Sequence, residues 1–345
     1  MRILIDILHP AHVHFFRNFH DEMAGRGHDL YITARDKDRS LELLCDFGLP
    51  YQQISAQHQR GGLAVEMVQR TRRLLTVIRT FRPDVMTGIM GPSIAVAGRL
   101  RRVPAVVFYD TEFAVQTNRF VYPLAHSVCT PDCYRGRVRG RHVQYAGYHE
   151  LAYLHPNRFQ PDPGRLSAFG VSPEEPYSVV RFVSWQAVHD RHERGLTSAQ
   201  KRNLIDVLQA RGGRVLISSE APLPADLAGL EVKGPVAQIH HLVAYAQLFV
   251  GESATMSSEA AVLGVPAVFI ATTGRGYTDD EEERYGLVRH FTDDQYVQAV
   301  AAIEELASES PREFGQAARE RLLAEKIDVT GWMVDYFEST FAEAS

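Results

Sequence analysis

The chain has 345 residues, of which 45% are hydrophobic and 23% charged, and it carries a formal net charge of −5. This length predicts two domains with cores of ordinary composition. The net negative charge argues against a nucleic-acid-binding protein, because such proteins neutralise phosphates with an excess of lysine and arginine.

The start of the chain and its cysteines indicate a cytoplasmic protein. The apolar start RILIDIL is interrupted by Asp6 and is too short for a signal peptide. No apolar run reaches the roughly 18 residues that a membrane-spanning helix requires. The three cysteines, Cys45, Cys129 and Cys133, are not the even set that a disulfide framework needs.

Two short basic stretches, at residues 70–73 and 99–102, leave a contact with a membrane surface open. We expect their arginines to lie on solvated helix faces. The alternative is docking on anionic phospholipid, which would place the protein peripherally at the inner face of the membrane.

The first half of the chain alternates apolar runs with amphipathic stretches. Residues 2–7, RILIDI, predict a strand, and residues 12–27 predict a helix that stops at Gly27. The alternation continues with the predicted strands DLYITA, YQQIS, PDVMTGI, PAVVFYD and SVCTP and the long helix LAVEMVQRTRRLLTVIRTF. Buried strands separated by helices predict a parallel sheet covered on both faces, which is a doubly wound α/β fold.

A segment rich in proline and glycine, residues 155–176, predicts a linker, after which the alternation restarts. The predicted strands of the second half are YSVVRFV, RVLISS, LFVGES and PAVFI. We therefore predict two Rossmann-like doubly wound domains, residues 1–160 and 161–328, which face a central cleft. A C-terminal helix, residues 329–345, is free to cross back to the first domain. Ligands of such folds bind beyond the carboxyl ends of the strands, so the cleft is the expected site.

The most informative stretch is LFVGESATMSSEAAVLGVPAVFI, residues 248–270. A strand ends there at Gly251, and a helix that carries Glu259 follows. The helix start is rich in small hydroxyl residues, namely Ser253, Thr255, Ser257 and Ser258. The free N–H groups and positive dipole of a helix N-terminus suit a diphosphate, and a carboxylate in its first turns can accept hydrogen bonds from ribose hydroxyls. The alternative is that these residues only cap the helix.

This stretch resembles the nucleotide-sugar motif of the glycosyltransferase-B superfamily. It is similar to the motifs of the muramyl-lipid N-acetylglucosaminyltransferases and of the non-hydrolysing UDP-N-acetylglucosamine 2-epimerases. The segment VAQIHHLVAYAQLFV resembles the part that precedes this motif, with Gln247 in place of the usual Asp, and AHVHFFRNFHDEMAGRGH resembles the first loop and helix of the transferases. The whole chain resembles a prokaryotic family of glycosyltransferase-B-like proteins of unknown function.

The resemblance implies roles for several residues of the second half. Glu259 would bind the donor ribose, Ile239 would lie near the base, and the hydroxyls that follow Gly251 would lie against the diphosphate. The segment TGRGYTDDEEERYGL resembles the donor-side loop, and Glu282 is our choice for the donor sugar among its three consecutive glutamates. Three carboxylates in a row are otherwise typical of a solvated loop.

The segment VVRFVSWQAVHDRHERGLT, residues 179–197, lies near the start of the second domain. The glycosyltransferase-B proteins that it resembles place a loop over the diphosphate at this point. Arg181 lies inside a strand pattern, and a buried guanidinium needs an anionic partner, either a phosphate or a carboxylate. Arg181 and His189 are therefore predicted to bind the nucleotide sugar. The alternative for His189 is a surface histidine.

A second resemblance runs through VPAVVFYDTEFAVQTNR, residues 103–119. It is similar to the epimerase strand that ends in His-x-Glu-Ala-Gly, with Glu112 on its glutamate and Asn118 and Arg119 on its Asn-Arg pair. Epimerisation needs a base on each side of the sugar carbon, and the chain lacks the aspartate of the epimerase Gly-Asp-Thr turn. Glycosyl transfer is therefore our first prediction. A 2-epimerase or sugar-nucleotide hydrolase, and a non-catalytic nucleotide-sugar-binding protein, are the alternatives.

Glycosyl transfer needs one base to activate the acceptor hydroxyl. His12, at a helix start, is the first candidate because the usual pKa of imidazole lies near neutrality. Asp110 and Glu112 are rival bases, unless they only cap a loop. His14 is expected on the acceptor side, together with Asn118 and Arg119.

We predict no metal and no other cofactor. No metal ion is needed, because helix N-termini can stabilise the charge of the leaving diphosphate. A zinc site built from His9, His12 and His14 is disfavoured. The expected partners are a UDP-sugar donor and a glycan or lipid-linked acceptor in cell-surface polysaccharide or glycolipid biosynthesis.

Overall fold

The computed structural model describes residues 1–57, 62–183, 195–211, 213–219, 221–308 and 310–342. The chain divides into two compact units. Unit 1 consists of Met1–Arg158 together with Lys326–Ser345, and unit 2 is Phe159–Glu325. These divisions lie within three residues of the predicted boundaries after residues 160 and 328.

Each unit contains one parallel sheet. The strands of unit 1 are β1 (Arg2–Ile7), β2 (Asp29–Asp36), β3 (Tyr51–Ala56), β4 (Val85–Ile89), β5 (Ala105–Phe108), β6 (Ser127–Pro131) and β7 (His142–Tyr145). They form a seven-stranded sheet in the order β3-β2-β1-β4-β5-β6-β7. The strands of unit 2 are β8 (Tyr177–Phe182), β9 (Arg214–Ser219), β10 (Leu248–Gly251), β11 (Ala267–Ile270) and β12 (Val288–Phe291). They form a five-stranded sheet in the order β12-β11-β10-β8-β9.

Helices follow most of the strands. They are α1 (Pro10–Gly25), α2 (Ser40–Asp46), α3 (Gly62–Phe81), α4 (Pro92–Arg101), α5 (Val115–Val121), α6 (Leu151–Leu154), α7 (Ser198–Ala210), α8 (Ile239–Ala244), α9 (Ala254–Val262), α10 (Gly276–Asp280), α11 (Tyr296–Ser308), α12 (Pro311–Glu325) and α13 (Val329–Phe341). Short 3-10 helices lie at Pro163–Phe169, Ala228–Leu230, Val236–Gln238 and Asp293–Gln295, and a π-helical turn lies at Glu281–Tyr285. The predicted doubly wound α/β class is confirmed in both units.

The first helix shows how the sequence sets these elements. Pro10 stands in the first helical turn, where its missing N–H is not needed, and the His9 side chain accepts a hydrogen bond from Ala11 N at 3.2 Å. Its large apolar residues recur at helical spacing and are buried. Phe19 packs on Phe337 of α13 with ring centroids 4.9 Å apart, so the C-terminal helix belongs to unit 1.

One basic stretch differs from the prediction of a solvated helix face. Arg70 in α3 is only 3% exposed and pairs with the fully buried Asp6 at 2.5 Å. Its guanidinium also donates to Ser55 Oγ at 2.5 Å, and Thr33 Oγ1 donates to Asp6 Oδ1 at 2.6 Å. The period of α3 turns Arg70 toward the sheet, whereas its neighbour Arg72 is exposed as predicted.

Two parts of unit 2 were not predicted. Residues 276–285, taken for a loop, form α10 and the π-helical turn, because Tyr277, Glu281 and Tyr285 are buried at recurring intervals. Strand β12 follows this turn and pairs with β11 at the sheet edge. Its four residues, VRHF, mix charged and apolar types, and so they lack the apolar run that identifies a buried strand.

Candidate functional site

Three polar side chains of unit 1 follow the carboxyl ends of parallel strands. His12 follows β1, Asp110 follows β5, and His149 follows β7. Because the strands are parallel, these residues share one edge of the sheet, which is where ligands of doubly wound folds bind. The pKa of His12 is affected by both neighbours, since Asp110 raises it and His149 lowers it.

Asp110 and His149 are paired, with His149 Nδ1 3.0 Å from Asp110 Oδ2. The Asp110 side chain keeps 19% exposure, while His149 is buried. Burial disfavours the charged carboxylate. His149 and the Thr111 hydroxyl, 3.0 Å from Oδ1, outweigh this and lower the pKa of Asp110 to about 2. Asp110 is therefore an ionised, partly exposed carboxylate at neutral pH.

His149 was missed by the sequence analysis. It lies just after β7 in the turn YAGYHE, and its ring packs on Phe15 with centroids 4.5 Å apart. A histidine directly after a buried strand was the available signal. The carboxylate that it pairs with lies 39 residues earlier in the chain, so only the folded sheet brings the two together.

His12 is 8% exposed, and its Nδ1 accepts a hydrogen bond from Leu8 N at 3.3 Å. Burial, with the neighbouring His9, lowers the pKa of His12 well below 6.5, although Asp110 opposes this. The imidazole is therefore neutral at physiological pH, and the accepted N–H assigns its proton to Nε2. In this arrangement His12 offers a donor rather than the lone pair that the predicted base would need.

The other catalytic candidate, Glu112, is half-buried, and its Oε1 accepts a hydrogen bond from Arg135 N at 3.2 Å. This bond ties Glu112 to the segment between β6 and β7. The contact matches the loop-capping alternative for Glu112. Its neighbour Asp110 has no such bond to a backbone N–H among the described hydrogen bonds.

The three predicted acceptor-side residues lie in different surroundings. His14 is buried, with its ring 5.3 Å from that of Tyr153 and 5.5 Å from that of Phe47. Asn118 is buried in α5, and its Nδ2 donates to the Glu112 carbonyl oxygen at 3.3 Å. Arg119 is exposed. His14 and Asn118 thus make internal contacts that the resemblance alone did not indicate.

In unit 2, the helix α9 begins where the nucleotide-sugar motif predicted. Ser253 is its N-cap, and Ser253 Oγ accepts from Met256 N at 3.3 Å. Ser253 and Thr255 are partly exposed in the first turn. The free N–H groups of such a turn, with the helix dipole, form an anion-binding end.

Ser257 and Ser258 face the interior instead. Both are fully buried; Ser257 Oγ donates to the Ser253 carbonyl oxygen at 2.9 Å, and Ser258 Oγ donates to Glu281 Oε1 at 2.5 Å. The prediction that these two hydroxyls lie against a diphosphate does not agree with this geometry. The helical period explains the difference. Ser253 caps α9, and Ser257 and Ser258 lie about one turn later, on the side of the helix that faces the core.

Glu259 lies in the same helix and is 5% exposed. His240 Nε2 of α8 lies 2.9 Å from Glu259 Oε1, so the two side chains form a buried pair. Ile239, predicted near the base, begins α8 and is partly exposed. Glu259 is therefore paired with His240, which directly follows Ile239 in α8.

Gly251 ends β10 against the neighbouring strand β8. A Cβ atom at this position would collide with the carbonyl oxygen of Arg181, and Glu252 N donates to that same oxygen at 3.0 Å. The Arg181 guanidinium in turn donates to Ser218 Oγ at 2.7 Å. Gly251 is therefore required because the backbones of β8 and β10 approach each other closely at this position.

Gly251→Ala is expected to lower the free energy of unfolding by about 3 kcal/mol, because backbone atoms cannot move aside as a flexible side chain can. Gly229→Ala is the matched control in unit 2, since nothing lies within 4 Å of a Cβ there. Urea unfolding of both variants measures the difference. Equal stabilities would show that the strands separate easily at Gly251.

The three consecutive glutamates occupy three different environments. Glu281 is fully buried, so the expectation of a solvated loop is wrong for it. Glu282 is half-buried, and its Oε2 accepts from His290 N at 3.2 Å. Burial raises the pKa of Glu282, with a smaller opposing effect of His290. Glu283 is exposed.

Glu252 is a buried carboxylate that the sequence analysis did not single out. It lies 3.0 Å from Lys201 Nζ, and it accepts hydrogen bonds from Val183 N at 3.1 Å and Leu196 N at 2.8 Å. One side chain thus joins the end of β8 to the start of α7. His189, predicted to bind the nucleotide sugar, lies outside the described residues.

Residues 1–153 match the model of a family described as a protein of unknown function, DUF354. Solved structures of two kinds share the architecture. The UDP-GlcNAc 2-epimerase from Neisseria meningitidis, bound to UDP-GlcNAc, is 11% identical, with a TM-score of 0.67 over 97% of this chain and 98% of that one. A putative UDP-N-acetylglucosamine 2-epimerase from Listeria monocytogenes is 10% identical, with a TM-score of 0.70 over 100% and 97%. MurG from Acinetobacter baumannii is 15% identical, with a TM-score of 0.56 over 99% and 100%.

The chain has the glycosyltransferase-B fold. The predicted relationship to the transferases and the 2-epimerases is confirmed at the level of the fold. A comparison with curated protein sequences found no match. Identities of 10–15% leave the reaction to be argued from the residues themselves.

Across the part of the chain that the structure describes, no group of three or more His, Cys, Asp and Glu side chains is arranged to hold a metal ion. Within the same residues, no helix combines the length and apolar character needed to cross a bilayer.

Proposed function

We propose that this chain is a metal-independent glycosyltransferase that uses a nucleotide-diphosphate sugar. Unit 2 binds the donor, and unit 1 activates a hydroxyl of a glycan or lipid-linked acceptor in cell-surface biosynthesis. The observation that carries the proposal is the ionised, partly exposed Asp110 held by His149 at the carboxyl edge of the first sheet.

Donor binding rests on the first turn of α9 and on Glu259. The exposed first turn offers N–H groups to the diphosphate, and the Ser253 and Thr255 hydroxyls stand beside them. Glu259 Oε1 is held by His240, and its carboxylate would accept hydrogen bonds from the ribose hydroxyls. A UDP-sugar is the first donor to test, because the Neisseria epimerase of the same fold was solved with UDP-GlcNAc.

In the transfer step, the acceptor hydroxyl loses its proton to the Asp110 carboxylate while its oxygen attacks the anomeric carbon. The bond from that carbon to the diphosphate breaks, and the nucleoside diphosphate leaves with the electron pair. The helix dipole of α9 and its N–H groups stabilise the charge on the leaving group. Neutral His12, whose Nε2 carries the proton, would donate a hydrogen bond to a substrate oxygen.

Asp110→Asn is expected to lower kcat at least about hundredfold, because general bases contribute roughly 10²- to 10⁴-fold. The measurement is release of UDP from a UDP-sugar in the presence of a lipid-linked glycan fraction, followed by ³¹P NMR. Glu112→Gln is the matched control and should retain activity within about fivefold, since its carboxylate bonds to a backbone N–H. Loss of turnover in Glu112→Gln with full activity in Asp110→Asn would reject this assignment.

The pH profile of turnover provides a separate test of the base. Because the pKa of Asp110 is lowered to about 2, its carboxylate stays ionised as the pH falls, and activity should be flat from about pH 8 to about pH 5. A base with the ordinary imidazole pKa of about 6.5 would instead lose half of its activity near that pH. A half-maximal point near pH 6.5 would therefore reject Asp110 as the base, and it would also reject His12, whose pKa lies well below 6.5.

Epimerisation is the second candidate function. Asp110 and Glu112 follow the same strand, and two carboxylates near one sugar would supply the proton transfers that epimerisation needs. Incubation with UDP-N-acetylglucosamine alone separates the two candidates. A 2-epimer detected by ¹H NMR without any acceptor would favour the epimerase, and free sugar would favour a hydrolase. Binding of UDP without any turnover would favour the non-catalytic alternative.

A further inference from the structure

Charge is distributed unevenly along the first unit. Residues 99–142 contain eight arginines, no lysine and three carboxylates, so this segment has a formal charge of +5, whereas the whole chain has −5. The segment comprises the end of α4, the strands β5 and β6, the helix α5 and the loop that leads to β7. The segment includes Asp110, but its positive charge comes from arginines that the proposed reaction does not use.

The carboxylates of this segment already have partners. Asp110 pairs with His149, Asp132 lies 2.9 Å from Lys326 Nζ, and Glu112 accepts from Arg135 N. Six exposed arginines have no carboxylate within ion-pair distance among the described residues: Arg99, Arg101, Arg102, Arg119, Arg137 and Arg139. These six cations are available to an external anion.

Exposed apolar side chains lie among these arginines. Leu100 is 64% exposed at the end of α4, and Val115 and Phe120 are 66% and 45% exposed in α5. The dipole at the C-terminus of α4 explains Arg99 and Arg101 in its last turn, but it does not explain Arg137 and Arg139 in a loop or the exposed leucine. We call the six arginines and these three apolar residues the basic face.

The elements of the basic face adjoin one another. Helix α4 packs against α5, and a groove of about 300 Å³ runs from Arg99 and Arg102 to His126. Arg141, in the segment that carries Arg137 and Arg139, has Nη1 3.2 Å from His126 Nε2. No carboxylate lines the groove. The groove therefore leads from the arginines of α4 to His126, which contacts Arg141 of the loop segment.

We infer that the basic face docks the protein on a membrane surface of anionic phospholipid. Clustered arginines are attracted to anionic headgroups, and each contributes roughly a fivefold gain in binding near such a surface. Exposed leucine and phenylalanine side chains bury their apolar atoms at the boundary between headgroups and acyl chains. A soluble polyanion would use the arginines but would gain nothing from Leu100 and Phe120.

Co-flotation of the full chain with vesicles tests this inference without any knowledge of the reaction. We expect binding to phosphatidylcholine vesicles that contain about 30% phosphatidylglycerol, little binding to pure phosphatidylcholine, and release as salt is raised, since screening weakens the attraction. Arg101→Glu/Arg137→Glu/Arg139→Glu should reduce the bound fraction at least about tenfold.

The control changes the same net charge elsewhere in unit 1. Arg39→Glu/Arg72→Glu/Arg79→Glu replaces three other exposed arginines and should float like the wild type. Leu100→Ser/Phe120→Ser should also lose binding while keeping every arginine. Failure of the wild type to float at low salt, or equal losses in the control triple variant, would overturn the inference. Unchanged binding of the Leu100→Ser/Phe120→Ser variant would overturn it in favour of a general polyanion site.

Discussion

Replacing Glu259 by alanine is expected to weaken UDP binding at least about hundredfold. A carboxylate that accepts hydrogen bonds from two ribose hydroxyls contributes roughly 1.5–3 kcal/mol for each bond to a charged group, and both would be lost. Isothermal titration calorimetry with UDP measures the change. Because Glu259 is buried beside His240, its removal also leaves His240 without this partner.

A second variant separates loss of binding from loss of folding. Glu259→Gln keeps an oxygen for His240 and the volume of the side chain, but it removes the negative charge, and we expect an affinity loss of about tenfold with unchanged thermal unfolding. Glu283→Ala is the matched control, because that carboxylate is exposed. UDP affinity that is the same in all three variants would reject the ribose role of Glu259.

Replacing Arg70 by alanine is expected to destabilise unit 1 by about 3–5 kcal/mol, because breaking a buried pair leaves an uncompensated charge in the core. Asp6 is fully buried, and its Oδ2 has no hydrogen-bond partner among the described residues. Its Oδ1 would keep only the bond from Thr33. Loss of one exposed arginine would cost at most about 0.5 kcal/mol.

The loss of stability in Arg70→Ala can be measured for unit 1 separately. It has two tryptophans, and Trp332 lies in α13 of unit 1, so urea unfolding in a Trp185→Phe background reports on that unit. Arg72→Ala, on the exposed side of α3, is the control. Asp6→Asn combined with Arg70→Ala should recover part of the loss, since a neutral amide is cheaper to bury than a lone carboxylate. A loss in Arg70→Ala no larger than in Arg72→Ala would mean that the pair contributes nothing.

Local sequence patterns were sufficient for most of the architecture. Apolar runs of strand length alternate with amphipathic stretches, and that pattern is a property of neighbouring residues, so it predicts a parallel sheet without knowledge of contacts. The same holds for the start of α9, since Gly251 and the hydroxyls after it mark a strand-to-helix turn. Strand β12 was missed because VRHF has no apolar run.

The partners of polar side chains could not be predicted from local sequence patterns. Arg70 and Arg72 look alike in the sequence, yet one pairs with buried Asp6 and the other is exposed. Likewise Glu281 and Glu283 belong to one acidic run, but only Glu281 reaches the Ser258 hydroxyl in the core. A shift of one or two positions along a helix turns a side chain from the core to the solvent. The composition of the segment does not record which side each residue faces.

The sequence by itself determined the two parallel sheets, the turn that opens α9 and the likeness to glycosyltransferase-B proteins, because each depends on residues close together in the chain. Only the tertiary structure decided which side chains meet. It joined His149 to Asp110 across 39 residues and Glu259 to His240, and it turned Ser257 and Ser258 inward. The pairing of two polar side chains depends on where strands and helices place them, and that placement exists only in the folded chain.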